Sequence, residues 1–311
     1  MPNRPGPEAA IPAMIFPPLR HPIRSIGGRR FDFSRQIAVM AIINRTPDSF
    51  FDQGKTFALD RAVDAAVQAA SDGADWVDIG GVPFAPGPEL SVRDELDRVI
   101  PVIAALGAVS DVVISVDTFR AEVAEAAIRA GASVVNDTTG IRDPRLADVV
   151  ADSDATLVIT HSLAAPRQPY PRPQYADVGG EIAAFLRGRV DFAVSRGVAE
   201  DRIVIDPGHD LNKNTVHTLE LTRRLGEITA LGLPTLAAVS NKDFIGEALG
   251  RDKADRLQGS IAAATVSVML GARVVRMHNV TAAVDAMRMV EAIMGWRVPV
   301  RAEHNLAEEA R

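Results

Sequence analysis

The sequence contains no cysteine among its 311 residues. This absence excludes disulfide bonds, thiolate zinc sites and a cysteine nucleophile. Aromatic residues make up only 5% of the chain, and 34 Lys and Arg residues are outnumbered by 40 Asp and Glu residues, which gives a formal net charge of −6. Nucleic-acid-binding proteins need a basic face for phosphate contacts. The composition therefore argues against a nucleic-acid partner.

Long apolar runs are also missing. No window reaches the roughly 18 uninterrupted apolar residues that a membrane-spanning helix needs, and the proline-rich start is unlike the apolar core of a signal peptide. The 47% of hydrophobic and 24% of charged residues are typical of a globular protein. These features predict a cytoplasmic protein that does not bind a membrane.

The two ends of the chain differ in composition from the middle. Residues 1–36 combine repeated prolines, which oppose helix formation, with basic residues, and we predict an extended N-terminal arm there. The basic residues of this arm are Arg20, Arg24, Arg29, Arg30 and Arg35. Residues 296–311 are predicted to be a charged C-terminal tail. The folded domain is therefore predicted to span residues 37–295.

Within this domain, short runs rich in Val and Ile alternate with longer Ala-rich amphipathic segments. Continuous apolar runs of this kind are typical of parallel strands that are buried on both faces. The predicted strands are 37–43, 76–80, 112–116, 133–136, 156–160, 202–206, 234–240 and 273–277. About eight such units favour an α/β fold of the closed (β/α)8 TIM barrel type. A doubly wound open sheet is the alternative, but no GxGxxG follows the first strand.

Polar residues follow the predicted strands, at the end where such a barrel builds its site. They are Asn44, Asp117, Asn136, Asp137, His161, Asp206, Asn241, Lys242, Arg276 and His278. Each one alone could cap a helix or fill a structural role at the rim. Together they predict a polar pocket. The absence of GxSxG and the scattered histidines argue against a Ser-His-Asp relay.

The residue types of this pocket indicate its ligand. Asp117, Asn136 and Asp206 offer acceptors and an amide that suit a flat heterocycle with amino and lactam groups. Lys242, Arg276 and His278 add positive charge that suits a phosphate or diphosphate. A divalent metal could be bound by oxygen ligands of Asn44 and Asp52, which make a sparse ligand set.

Several segments, in order along the chain, resemble the dihydropteroate synthase family. They are NRTPDSF (44–50), DGADWVDIGG (72–81), SVDTFRAEVA (115–124), VVNDTTG (134–140), RIVIDPG (202–208), SNKDFIG (240–246) and RMHNV (276–280). The resemblance covers roughly residues 36–295 and implies the pterin-binding barrel of that family. It also implies a homodimer and a reaction that joins dihydropterin pyrophosphate to para-aminobenzoate and releases pyrophosphate.

The resemblance assigns roles to single residues. Asp117, Asn136, Asp206 and Lys242 match the family's pterin-binding residues. Asn44, Arg276 and His278 match its pyrophosphate and magnesium site, with Asn44 as the Mg²⁺ ligand. Cations and metal around the diphosphate would stabilise the charge that develops as it leaves.

The loops depart from the family pattern. The family's GGESTRPG reads GGVPFAPG at 80–87, so that Phe84 and Ala85 replace a threonine and an arginine. Its DPGxGFGKT reads DPGHDLNKN, with Asp210 and Asn212 in place of glycines and Leu211 in place of an aromatic residue. Asn241 replaces a further arginine, and Asn279 an aspartate.

These departures predict a divergent, second-copy type of the family that keeps a pterin and pyrophosphate pocket but has weak or no synthase activity. Three alternatives remain open. The chain could be an active synthase in which Arg93, Lys55 or Lys213 supplies the lost charge. It could be a non-catalytic pterin-binding or regulatory protein. It could be a methyltransferase acting on a methylated folate, which would explain the Asp and Asn residues but not the TPDSF and RxH segments.

Overall fold

The computed structural model of the chain describes residues 16–44 and 55–304, without the side chains of residue 44 and residues 55–58. The predicted metal ligand Asp52 and the side chain of Asn44 therefore lie outside the described part. None of the helices in the described ranges combines the length and the hydropathy needed to cross a membrane.

Eight parallel strands form one barrel. They are β3 (Ala38–Asn44), β4 (Trp76–Gly80), β5 (Val113–Asp117), β6 (Val134–Asp137), β7 (Thr156–Thr160), β8 (Ile203–Asp206), β9 (Leu236–Ala237) and β10 (Val274–Met277). Neighbours in the chain pair in parallel from β3 to β8, and β10 lies between β9 and β3. A parallel bridge from Ile205 to Thr235 joins β8 to β9 and closes the ring. The predicted (β/α)8 TIM barrel is confirmed.

Helices surround the barrel. They are α1 (Lys55–Ser71), α2 (Val92–Val109), α3 (Ala121–Arg129), α4 (Arg145–Ala151), α5 (Val178–Ser195), α6 (Thr215–Arg223), α7 (Leu225–Thr229), α8 (Asp243–Leu249), α9 (Leu257–Met269) and α10 (Val280–Ile293). The hydroxyl of Ser91 accepts the Asp94 N–H at 3.1 Å and so caps α2, which follows the loop after β4. Helix α2 thereby fixes one end of a loop that reaches the site.

The strand residues alternate between two separate cores. One set packs between the strands and the helices, and the other fills the inside of the barrel. Inside, Met40, Trp76, Val158 and Val204 belong to a single apolar cluster. Because side chains alternate along a strand, the residues two positions further on also point inward. In β4, β5, β6 and β8 those next positions are polar, and this alternation places the site at the carboxyl ends of the strands.

The N-terminal segment differs from the extended arm predicted for residues 1–36. Strands β1 (Ile23–Ile26) and β2 (Arg29–Asp32) form an antiparallel hairpin. Its Ile26 and Phe31, with Phe33 just after it, are buried in the cluster inside the barrel. The hairpin forms because the prolines end at residue 22, and an Ile-Gly-Gly turn follows in which both glycines have positive φ. Residues 1–15 lie outside the described part.

Buried arginines tie this hairpin to the barrel. Arg24 is 3% exposed and donates to the Ile203 carbonyl at 2.6 Å. Arg273, which precedes β10, donates to the Phe33 carbonyl at 2.9 Å and lies over the ring of Trp296, the first residue of the predicted tail. Of the basic residues that suggested a solvated arm, Arg24 is thus structural, because its guanidinium binds a backbone carbonyl at the base of the barrel.

If the hairpin is part of the barrel core, then Phe31→Ala should lower the free energy of unfolding by about 3–5 kcal/mol, the usual cost of a buried Phe-to-Ala change. Ile23→Ala is the matched control, because Ile23 lies on the same hairpin with 53% of its surface exposed. We expect it to change stability by less than about 1 kcal/mol. Urea unfolding followed by circular dichroism measures both, and equal effects would contradict the packing described.

Candidate functional site

A cavity of about 310 Å³ opens at the carboxyl ends of the barrel strands. Most of the residues predicted for the site line it, although they come from distant parts of the chain. The lining residues are Ile42, Val82, Pro83, Phe84, Ala85, Asp117, Ala238, Ser240, Asn241, Lys242, Lys253, Arg276 and His278. The structure therefore brings Asp117, Lys242, Arg276 and His278 together. Asn136 and Asp206 are buried at the ends of β6 and β8.

A network of buried charges lies beneath this cavity. The Arg276 guanidinium donates to Asp78 at 2.7 Å and to Asp117 at 3.1 Å. The Asp78 carboxylate, which is fully buried, also accepts from Ser115 at 2.6 Å and from the Asn136 amide at 3.0 Å. Arg276 was predicted to bind pyrophosphate, but here its charge is balanced by two carboxylates. The Nη1 group takes part in neither bond and can still donate to an anion.

Burial changes the protonation of the carboxylates in this network. It raises the pKa of Asp117, and the neighbouring Asp78 carboxylate adds to this effect while Arg276 opposes it. Burial also raises the pKa of Asp206 to about 6, against the hydrogen bond from Gly208 and the charges of nearby lysines. Both groups therefore exchange protons closer to neutral pH than ordinary aspartates do.

Asn136 and Asp206 present acceptors to the barrel interior. The Asn136 amide nitrogen is used by Asp78, while its buried Oδ1 has no hydrogen-bond partner among the residues that the structure describes. One oxygen of Asp206 accepts the Gly208 N–H at 2.7 Å. A buried acceptor without a partner is unfavourable. A ligand with N–H donors would satisfy Asn136 Oδ1.

Two lysines supply positive charge at the cavity. Within the described ranges, neither Lys242 nor Lys253 donates a hydrogen bond or forms an ion pair at hydrogen-bonding distance. His278 differs, because burial and the Arg276 charge lower its pKa to about 4. Its Nδ1 lies 3.0 Å from the Ser240 hydroxyl. The lowered pKa favours the uncharged form of His278, although the residue is exposed at the rim of the cavity.

The residues proposed to replace the lost charge do not face the cavity where they are described. Lys213 is buried and donates to the carbonyls of Gly208 at 2.9 Å and Leu211 at 3.1 Å. Burial lowers its pKa to about 7, and its Nζ lies 3.0 Å from His161 Nδ1. Arg93 is exposed on α2 and is not among the lining residues. The side chain of Lys55 lies outside the described part.

The residues that stand where the family pattern has glycine keep a glycine-like backbone. Asp210 and Asn212 have φ of 61° and 51°, in the left-handed region. Asp and Asn tolerate this conformation better than other side chains do. Asp210 also uses its carboxylate, which accepts from Thr218 at 3.0 Å and from the Phe244 N–H at 3.2 Å. The backbone of this loop can therefore be kept after the glycines are lost.

The residues described hold no group of three or more His, Asp or Glu side chains that could bind a metal ion. Asn44, the predicted Mg²⁺ ligand, ends β3 at the same rim as the cavity, and its side chain is outside the described part. The described donors alone therefore do not form a resident metal centre. A metal at this rim would depend on ligand oxygens together with Asn44.

Sequence reasoning missed Asp78, which accepts three hydrogen bonds inside the barrel. The signal was present, because Asp78 is an acidic residue in the middle of the apolar run WVDIG. An acidic side chain is almost never fully buried without a partner. Lys253 was missed as well. It lies in the polar segment between α8 and α9, where no local pattern shows that it reaches the cavity.

Comparisons with known proteins agree with the geometry. The sequence model of the pterin binding enzyme family matches residues 40–278. The chain is 44% identical over 275 residues to a protein of Mycobacterium tuberculosis named inactive dihydropteroate synthase 2, a match that covers 86% of each chain.

Two solved structures of the Xanthomonas albilineans dihydropteroate synthase are similar along nearly the whole chain. The structure with 4-aminobenzoic acid has a TM-score of 0.82 and 39% identity, and covers 90% of this chain and 100% of that one. The structure in complex with 7,8-dihydropteroate has a TM-score of 0.79 and 38% identity, and covers 89% and 100%. The protein described here therefore belongs to the pterin-binding enzyme family, as a divergent homologue of the dihydropteroate synthases.

Proposed function

We propose that this protein binds a pterin or pterin pyrophosphate in the cavity and has weak or no dihydropteroate synthase activity. One observation carries the proposal. The predicted pterin-binding residues Asp117, Asn136, Asp206 and Lys242 are called the floor. Of these, Asp117 and Lys242 share one cavity with Phe84 and Ala85, which bring neither a hydroxyl nor a cation to the loop after β4. The site thus keeps groups that suit a heterocycle, whereas positions 84 and 85 do not supply the hydroxyl and the cation that suit the synthase reaction.

The floor matches the donors and acceptors of a pterin. Asn136 Oδ1 and the Asp206 carboxylate accept from the amino and lactam N–H groups of the ring, and Asp117 accepts at the adjacent edge. Lys242 donates to a ring acceptor from the opposite wall, where its ammonium has no partner among the described residues. A ring N–H that reaches past the lining residues to Asn136 Oδ1 would pair an acceptor that is otherwise buried without a partner among the described residues.

The pyrophosphate end of the ligand lies towards Asn44, Arg276 and His278. Arg276 binds Asp78 and Asp117 through Nε and Nη2, which leaves Nη1 to donate to an anion, and the lowered pKa of His278 favours its neutral form. Mg²⁺, which the family resemblance implies, would be held by Asn44 and ligand oxygens and would neutralise phosphate charge there. Lys253, on the same wall, adds a cation that the family motifs do not include.

An active synthase is the alternative that the geometry favours less. Of the cation candidates whose side chains are described, Arg93 is exposed and Lys213 is engaged elsewhere. Loss of one donor that stabilises a transition state typically lowers a rate by about 10²–10³. A non-catalytic pterin-binding or regulatory role fits the same cavity, because binding needs only the floor. The name of the mycobacterial relative, inactive dihydropteroate synthase 2, supports weak or absent turnover.

The raised pKa of Asp206 predicts a pH dependence of pterin binding. Because the ring donors need the ionised carboxylate, the affinity that Asp206 supplies should fall as the pH drops through about 6. At pH 5 it should be about tenfold weaker than at pH 7. Calorimetric titration with a neutral oxidised pterin measures this.

The Asp206→Asn variant should bind more weakly at pH 7 and show a smaller fall in affinity between pH 7 and pH 5, since Asp117 is then the one carboxylate of the pair that still titrates near neutral pH. Asp111→Asn is the control, because Asp111 is exposed at the opposite end of the barrel. It should keep the parent's affinity at both pH values. Absence of any pterin binding by the intact protein would refute the proposed function itself.

The altered loop predicts the outcome of a repair. The unmodified protein should convert dihydropterin pyrophosphate and para-aminobenzoate at least about 10²-fold more slowly than an active synthase. The double variant Phe84→Thr/Ala85→Arg should be faster than its parent, because it returns a hydroxyl and a guanidinium to the cavity wall. Product formation followed by chromatography measures both rates.

Glu89→Arg is the matched control for this repair, because it adds a cation to the same loop at an exposed position that does not line the cavity. It should leave turnover at the parent's level. Circular dichroism of each variant checks folding. Ample activity of the unmodified protein would contradict the assignment of lost function to this loop.

We also propose that the protein forms a homodimer, as the resemblance implies. Helices α9 and α10 are in contact, and both expose apolar side chains, including Val266 at 48%, Met289 at 58% and Ile293 at 63%. Exposed apolar patches of this kind mark association surfaces.

Light scattering should give twice the chain mass of 33.2 kDa, and Val266→Glu should shift the measured mass to the monomer value. A monomeric parent would refute the dimer.

A further inference from the structure

The loop between β7 and α5, residues 161–177, touches two other loops at the rim of the barrel. One is the β4–α2 loop, residues 81–91, and the other is the β8–α6 loop, residues 207–214. These contacts are not part of the cavity floor. They determine where the walls of the cavity stand.

Arg167 makes the contact with the β4–α2 loop through four hydrogen bonds to main-chain atoms. Its N–H donates to the Phe84 carbonyl at 3.2 Å, and its carbonyl accepts the Gly87 N–H at 3.2 Å. Its guanidinium donates to the Ala85 carbonyl at 2.8 Å and to the Pro88 carbonyl at 2.9 Å. One residue therefore binds the loop from position 84 to position 88.

The residues on the two sides of this contact, Arg167 and Gly87, both have local geometry that the contact requires. Arg167 has φ of 64°, a left-handed conformation that is uncommon for a residue with a side chain. At Gly87, an added Cβ would collide with the Arg167 guanidinium. Strained non-glycine residues persist where the surrounding structure holds them in place. The four hydrogen bonds supply that restraint for Arg167.

The other end of the β7–α5 loop is attached to the β8–α6 loop. The Asn212 amide donates to the Pro171 carbonyl at 2.6 Å, and the Tyr175 hydroxyl donates to the Asn212 carbonyl at 3.2 Å. A glycine at position 212 could not form the first of these bonds. The β7–α5 loop is thus attached at both ends, which limits the movement of the β4–α2 loop that it holds.

Phe84 connects this attachment to the cavity. Its ring lines the cavity, and its centroid lies 5.8 Å from that of Tyr170 in the β7–α5 loop. We propose that Arg167 is a positioning residue that fixes Phe84 as a wall of the cavity, so that the site accepts a single fused-ring heterocycle and excludes an aromatic acid beside it. The proposal rests on the pterin pocket put forward above and names the class of ligand that this pocket selects.

Arg167→Gly tests the proposal without threatening the fold, because glycine adopts positive φ readily. The variant loses the guanidinium bonds and keeps the backbone conformation. Arg172→Gly is the matched control, since Arg172 is an exposed arginine of the same loop. Amide hydrogen exchange of the ligand-free protein reports the attachment directly. Calorimetry with an oxidised pterin, then with para-aminobenzoate added to the pterin-bound protein, reports selectivity.

In Arg167→Gly, exchange of the Gly87 N–H, which is bonded to the carbonyl of residue 167, should accelerate about tenfold or more, because the two guanidinium hydrogen bonds no longer hold the loop. Exchange in β4 should not change. Affinity for the pterin should stay within about threefold of the parent, while affinity for para-aminobenzoate rises at least about tenfold. Arg172→Gly should match the parent in every measurement. A merely structural role would lower the melting temperature without changing the preference between the two ligands.

Unchanged exchange of the Gly87 N–H would overturn the proposal. So would equal binding of para-aminobenzoate by the parent and Arg167→Gly. If neither protein binds the pterin although exchange accelerates as expected, the proposed function fails while the attachment by Arg167 stands. The two failures are therefore distinguished by the ligand-free measurement.

Discussion

Arg276 lies inside the barrel between two carboxylates, and the architecture of the cavity depends on this charge. A single cation balances Asp78 and Asp117, and Asp78 in turn orients Ser115 and Asn136. Breaking a buried ion pair by removing one partner usually costs about 3–5 kcal/mol, because a charge is left without compensation. The floor is therefore preorganised before any ligand arrives. The same guanidinium can hold both carboxylates through Nε and Nη2 and still offer Nη1 to a ligand anion.

Much of the fold could be predicted because it depends on local patterns. Seven predicted strands agree with the observed ones to within one residue at each end, and the seventh in order, 234–240, is a strand only at Leu236–Ala237. The hairpin at residues 23–32 was not predicted. The prolines before it and its own arginines suggest a solvated segment, and only the assembled barrel shows the buried carbonyls that Arg24 and Arg273 bind.

The same distinction between local patterns and long-range contacts applies to the residues of the site. Residues placed by strand periodicity, such as Asp117, Asn136 and Arg276, could be predicted because the carboxyl ends of parallel strands meet at one rim. Contacts between loops could not be predicted. The partners of Arg167 lie about eighty residues away in the chain, and the role of Asn212 appears only when Pro171 is beside it. Site residues on the strands therefore still match the family pattern in the sequence, whereas residues of the loops can change independently of them.

The hairpin at the base of the barrel also constrains the order in which the chain can fold. Strand β3 pairs with β4 on one side, and its second partner is β10, near the other end of the barrel sequence. Arg273, which binds the Phe33 carbonyl, lies 240 residues further along the chain than Phe33. Contacts so distant in sequence form slowly, because the entropy of closing the intervening chain opposes them. During synthesis the hairpin emerges before the barrel strands. Arg273, whose guanidinium binds the Phe33 carbonyl, emerges 240 residues later. Until then Phe31 and Phe33 lack their native cover, and a chaperone that shields apolar side chains would act at this stage.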